Sequence, residues 1–168
     1  MTEHRTQTLA TKDNPYHFLE SGLSNIYLIG IRVLTYEDGK VVPEIPALKQ
    51  LLQLIARDLI WKPTALTGEE IKFLRKRLGK KQFELAREIG LEPETLSRSE
   101  NGHQQLSESN DKFIRLYYAF SALDDAHLNE LRKELSQLLS QWRVSGEGTV
   151  KNKRFAKVMN EEWVLSAA

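Results

Sequence analysis

The stretch LRKRLGKKQFELAREIGLEPETLSRSENG, residues 74–102, holds two short helical patterns on either side of one tight turn. In Gln82–Ile89, Leu85, Ala86 and Ile89 recur at i, i+1 and i+4, which marks a single buried face. Gly90 then stands where a helix end favours a left-handed residue. Pro93 suits the first turn of a second helix, where its missing N–H would have no intrahelical partner. That second helix has one clearly apolar residue, Leu96, among Glu94, Thr95, Ser97, Arg98 and Glu100, and it ends at Asn101-Gly102.

A helix this short and this polar cannot be stabilised by its own burial, so its exposed face reads as one kept polar for a ligand. That is the logic of a helix-turn-helix, whose second helix enters the DNA major groove. LGKKQFELAREIGLEPETLSRSENG resembles the DNA-binding domain of phage-repressor type, the Xre and Cro-like group. The matching positions are Gln82, Leu85-Ala86, Ile89-Gly90-Leu91, Thr95-Leu96-Ser97-Arg98 and Glu100-Asn101-Gly102. One position departs: Ser99 stands where an aromatic or large apolar residue is common.

The resemblance implies a role for each matching position. Glu94, Ser97 and Arg98 would face base edges, with Thr95 nearer the backbone. Gln82, opening the first motif helix, would give its side chain or backbone N–H to a phosphate, and Asn101 would contact phosphate past the second helix. Arg98 is the leading base reader, because a guanidinium donates two parallel hydrogen bonds to guanine O6 and N7, worth about 1–3 kcal/mol of discrimination. The alternative for Arg98 is a surface ion pair with Glu94. The resemblance also implies a partly buried pair between Arg75 and Glu100 that is structural rather than DNA-reading.

Charge distribution points the same way. Between Ile71 and Phe83 lie six basic residues (Lys72, Arg75, Lys76, Arg77, Lys80, Lys81) and no acidic one. Binding to a polyanion needs positive charge on one face more than a positive total. Lys76, Lys80 and Lys81 are therefore expected to hold phosphates; the bland alternative is a solvated helix end with cations at the negative pole of its dipole.

The whole chain of 168 residues carries a net charge of only +1, and 40% apolar content is enough for a core. There are no cysteines, which excludes disulfides and thiolate zinc sites. The Met1–Pro15 segment has no apolar h-region, and no apolar run of about eighteen residues exists, so a soluble, cytoplasmic protein without a membrane span is expected. Four scattered histidines, His4, His17, His103 and His127, share no helical metal spacing with another ligand. Gly-rich phosphate loops and nucleophile elbows are missing too, so no enzyme, no metal and no cofactor are expected.

Along the chain, residues 1–14 read as a mobile polar tail. NIYLIGIRVLTY, residues 25–36, is strand-like with Gly30 as a bend or bulge, and Glu37-Asp38-Gly39 supplies a hairpin turn before Lys40–Glu44. After Pro46, a helix carries Leu48, Leu51, Leu52, Ile55 and Leu59 at helical spacing. Thr67–Glu70 reads as a capping box for a helix with Ile71, Leu74 and Leu78 on its apolar stripe. Beyond the two-helix motif, His103–Leu106 is a loop, and Ser107 caps a helix with Phe113, Leu116, Tyr117 and Phe120. A last helix from Asp124 or Asp125 carries Leu128, Leu131, Leu135, Leu138 and Trp142, for packing on its own domain or for a dimer contact. Arg154–Met159 and Glu162–Ser166 are expected to be strands that join the N-terminal sheet.

The arrangement as a whole resembles the wider group of the motility quorum-sensing regulator antitoxin, with YHFLESGLSNIYL (Tyr16–Leu28) carrying that part of the match. Such antitoxins bind a toxin through a zinc-holding N-terminal half, and this chain has no cysteine for that zinc. The fold expected is α+β: tail 1–14, a small β-hairpin plus helix unit at 15–63, a five-helix phage-repressor-like DNA-binding domain at 64–142, and a short strand-like C-terminal extension at 143–168. The function expected is sequence-specific binding of double-stranded DNA by a dimeric repressor. The alternatives are an antitoxin with a toxin partner on its N-terminal unit, and a protein-interaction adaptor on the same scaffold.

Overall fold

The computed structural model describes residues 5–122, 126–127, 129, 132–133, 153–159 and 162–167; among them five α-helices between Leu48 and Ala122 and two β-sheets make an α+β fold. The chain divides into two compact units, Met1–Ile55 with Val150–Ala168, and Ala56–Thr149.

The first unit holds both sheets. In one, β1 (Arg5–Leu9), β4 (Arg32–Tyr36) and β5 (Val41–Glu44) pair antiparallel in the order β1-β4-β5. In the other, β2 (Tyr16–His17), β3 (Ile26–Ile29), β6 (Arg154–Met159) and β7 (Glu162–Ala167) lie in that order, with β3 and β6 parallel. The turn expected between β4 and β5 is present: Lys40 N–H donates to Asp38 Oδ1 at 2.9 Å, and Tyr36 N–H to Lys40 O at 2.9 Å. The two C-terminal strands do join the N-terminal strands, through β6 alongside β3.

One expectation needs correction here. Residues 5–9 are not a tail but an edge strand, held by the ladder from Arg5↔Tyr36 to Leu9↔Arg32. All five side chains are exposed, so backbone pairing holds the strand and no apolar alternation announces it. The bend expected at Gly30 is present and divides Asn25–Tyr36 into β3 and β4. Gly30 N–H donates to Ala10 O at 2.8 Å and Ala10 N–H to Ile31 O at 2.9 Å, and these bonds separate β3 and β4 into different sheets.

Ile26 and Leu28 on β3, Ala156 on β6 and Trp163 on β7 are buried in the four-stranded sheet. The Trp163 indole N–H donates to Pro46 O at 2.8 Å, which satisfies its polar edge inside an apolar site. The division between the units falls within α1 (Leu48–Trp61), whose Leu51, Ile55, Ala56, Leu59 and Ile60 are buried.

The second unit contains α2 (Gly68–Arg77), α3 (Gln82–Glu88), α4 (Pro93–Glu100) and α5 (Glu108–Ala122). The α2 capping box forms as its sequence implies: Glu70 N–H donates to Thr67 Oγ1 at 3.3 Å, and Thr67 N–H to Glu70 Oε2 at 2.8 Å. The same Glu70 oxygen accepts from Lys62 Nζ at 2.7 Å, so a buried ion pair ties the cap to the end of α1.

Gly68 opens α2 hard against the end of α4. A Cβ there would lie 2.4 Å from Ser99 O and 2.6 Å from Glu100 O, both backbone atoms with little room to give. The start of α2 thereby faces the carbonyl end of α4, a favourable meeting of dipole ends. Gly68→Ala is expected to lower stability by about 1–3 kcal/mol through overpacking, read as a fall in the denaturant midpoint.

α5 buries a different face from the one its apolar residues suggest. Asp111, Ile114, Arg115, Tyr118 and Ala119 are buried, while Phe113 and Phe120 are 46% and 55% exposed. The cause is Arg115, which is 0% exposed. Its Nη1 donates to the carbonyls of Leu59, Ile60 and Lys62 at 3.1, 3.1 and 2.6 Å, its Nη2 to Thr64 O at 2.6 Å, and its Nε to Asp111 Oδ1 at 2.6 Å. One guanidinium thus serves two carbonyls of the last turn of α1, Leu59 and Ile60, and two of the loop after it, Lys62 and Thr64. Asp111 in turn accepts from Leu66 N–H at 2.6 Å. Most of the last helix expected, including its leucines and Trp142, lies outside the described residues.

Candidate nucleic-acid interface

The turn between α3 and α4 closes as its residues require. Gly90 has φ +70°, a conformation that side chains resist, and Leu91 N–H behind it donates to Ala86 O at 2.8 Å. Leu85 and Ala86 from α3 and Leu96 from α4 are each 0% exposed. Burial of Leu96 orients α4, because the positions before and after it must then face outward. Glu92, Glu94, Arg98 and Asn101 are exposed, and Thr95 and Ser97 are half-buried.

Arg98 and Glu94 do not pair. Among the described residues neither has a side-chain hydrogen bond or ion pair, so the expected alternative of an i,i+4 surface pair is not what the structure holds. Asn101 is less open: its Nδ2 donates to Ser97 O at 2.9 Å and closes the end of α4. Ser99, at the position that departs from the phage-repressor pattern, is 1% exposed, and its hydroxyl donates to Thr95 O at 2.9 Å.

Behind α4 sits a buried charge cluster. Arg75 Nε and Nη2 donate to Glu100 Oε1 and Oε2 at 2.5 and 2.8 Å, and Arg75 Nη1 donates to Lys80 O at 2.8 Å. Gln82 joins them, its Nε2 donating to Glu100 Oε2 at 2.8 Å. One of the two N–H groups of the Gln82 amide is therefore committed to the ion pair. One carboxylate so holds the ends of α2, α3 and α4 in register.

The basic residues separate into free and tethered groups. Lys76 is exposed, and Lys81 is exposed with its Nζ 5.9 Å from the Phe83 ring centroid. Lys80 is tethered: its Nζ lies 2.7 Å from Glu88 Oε1, and the Tyr117 hydroxyl donates to the other Glu88 oxygen. The Lys80 hydrogen bond, and after it the Tyr117 hydroxyl, holds the Glu88 carboxyl below the ordinary range. The same bond to Glu88 raises Lys80 and Tyr117 above theirs. Any stabilisation from the depressed Glu88 is present above the ordinary carboxylate range and is lost as pH falls through its lowered value.

Arg87 on α3 is also exposed, without a described side-chain partner, on the same short helix as Lys81 and Phe83. Sequence reasoning passed over it because a lone Arg among Glu84 and Glu88 carries no spacing signal. The Lys80–Glu88–Tyr117 set was likewise invisible: Lys80 and Glu88 are eight residues apart and Tyr117 is twenty-nine from Glu88. Among the described residues no group of three or more His, Asp or Glu could hold a metal ion, and no helix is long and apolar enough to cross a membrane.

Searches of family models, curated proteins and solved structures find no match to this chain.

Proposed function

We propose that α2–α5 is a DNA-binding domain of phage-repressor type and that the protein is a sequence-specific transcriptional regulator. The observation that carries this reading is α4 itself: anchored by one fully buried leucine, it turns outward an arginine and a glutamate that no other described residue occupies. A surface helix kept for stability alone gains from pairing such charges at i,i+4. Leaving them free suits a partner that supplies hydrogen-bond donors and acceptors of its own, as base edges in the major groove do.

In this reading α4 lies in the major groove, Arg98 donates to guanine O6 and N7, and Glu94 accepts from cytosine N4, with Ser97 between them. Thr95, Asn101, Lys76 and Lys81 meet the phosphate backbone, and Gln82 joins them through its backbone N–H or its second amide N–H. The regulator works as a homodimer on two half-sites about one helical turn apart.

The test is the salt dependence of duplex binding. Several phosphate contacts predict a linear fall of log affinity with log salt, with a slope of about −0.9 per contact, whereas an adaptor that does not use DNA gives a flat, sequence-blind response. Glu88→Gln releases Lys80, and is expected to tighten binding at low salt and steepen that slope by about one contact. An unchanged slope in Glu88→Gln would show that Lys80 does not reach phosphate.

A further inference from the structure

The four-stranded sheet carries a second feature that the reading of α4 does not use. Opposite its buried face, His17 on β2, Tyr27 on β3 and Phe155 on β6 occupy directly opposed register positions. Their rings form a row: His17 and Tyr27 stack with centroids 4.4 Å apart at 10°, and Tyr27 and Phe155 lie 5.7 Å apart at 36°. All three are half-buried. The next position in the same row, on β7, is Ser166, which is exposed. The row therefore spans three strands of a four-stranded sheet and stops at a residue too small to continue it.

Cations flank Phe155, the last ring of the row, along β6. Lys153, Phe155 and Lys157 alternate along β6 and the residue before it, so by strand periodicity they share a face, and both lysines are exposed. Lys153 Nζ lies 5.1 Å from the Tyr27 ring centroid, which places that ammonium over the row itself. At about 3.4 Å per residue, the two lysines are roughly 14 Å apart along the strand with an aromatic ring between them. The acid on this face is Glu162, in register with Met159 beyond Lys157.

We propose that this face binds single-stranded nucleic acid. One base takes the fourth place in the row, over Ser166 and against Phe155, and Lys153 and Lys157 take the phosphates on either side. Every base has a π-face, so stacking of this kind accepts any sequence, while the lysines supply attraction along the backbone. The separation of the two lysines favours a chain over a free nucleotide, because a single nucleotide cannot reach both. This binding is separate from operator reading by α4 and stands or falls without it.

The test uses the full chain and a fluorescent oligothymidylate of about 20 nucleotides, followed by anisotropy at low salt. Wild type is expected to bind. Lys153→Ala with Lys157→Ala is expected to weaken binding at least about tenfold and to make the salt slope shallower by about 1.4, two contacts at about 0.7 each. Ser166→Phe, a strand-compatible change at an exposed position, fills the fourth place and is expected to weaken binding about fivefold or more, whereas Ser166→Ala leaves it unchanged. Absence of binding by wild type, or binding undiminished by both the lysine pair and Ser166→Phe, would overturn the proposal. Equal affinity for thymidine monophosphate would overturn the choice of a chain as ligand.

Discussion

Arg115→Met is expected to remove about 3–5 kcal/mol of stability, because it strands the Asp111 carboxylate in a site where that residue is 1% exposed. The methionine fills much of the volume, but the carbonyls of Ile60 and Lys62 lose their buried donor, while Leu59 O keeps Lys62 N–H at 3.3 Å and Thr64 is exposed to water. Each unsatisfied buried acceptor adds its own desolvation cost of about 1–3 kcal/mol, less whatever relaxation of the α1 end lets water recover. Set against a typical domain stability of about 5–15 kcal/mol, the loss is large. Chemical denaturation of wild type and variant measures it. The comparison is Lys112→Met, which removes an i,i+4 pair with Glu108 on the same helix whose two side chains are 24% and 51% exposed. That change is expected to cost no more than about 0.5 kcal/mol. Equal effects in the two variants would show that burial of Arg115 contributes nothing special.

Glu100→Ala has the second large effect, and it separates folding from reading. The Glu100 side chain is 0% exposed and accepts from Arg75 twice and from Gln82 once. Removing it leaves a nearly buried guanidinium without its counter-charge, with an expected loss of about 3–5 kcal/mol. The loss is expected in thermal and denaturant stability. The order of preference among DNA sequences, measured on the fraction that remains folded at low temperature, is expected to stay as in wild type. A variant of unchanged stability but altered base preference would move Glu100 from the scaffold to the interface.

The elements legible in the sequence are those set by local rules. Thr67 and Glu70 cap α2 and Gly90 ends α3 through bonds to residues a few positions away, and Pro93 starts α4 through its fixed φ and missing N–H. The alternation at Ile26 and Leu28 likewise announces a strand with one buried face. What the sequence hides depends on partners far along the chain. Phe113, Leu116, Tyr117 and Phe120 have helical spacing, yet α5 turns its Arg115 side inward, where four carbonyls more than fifty residues earlier accept from the guanidinium. The edge strand β1 has no buried face and is held by its ladder to β4, with Thr8 Oγ1 donating to Val33 O beside it.

The candidate site divides in the same way. Arg98 and Glu94 face outward because Leu96 between them must face inward, and that follows from α4 alone. Gln82 stands at a helix start where a phosphate contact is a natural reading, and only the folded chain shows its amide against Glu100. Lys80 belongs to a basic run in the sequence and to an ion pair in the structure, since Glu88 and Tyr117 approach it from α3 and α5.

Selection of bound duplexes from a random DNA pool, run in parallel on wild type and Arg98→Ala, tests the central claim most directly. The account predicts enrichment of a two-fold motif by wild type, and the same motif with one guanine position in each half-site relaxed in the variant, at a cost of about 1–3 kcal/mol per lost bidentate contact. No enrichment by a wild-type protein shown to be folded, at moderate salt, would contradict it.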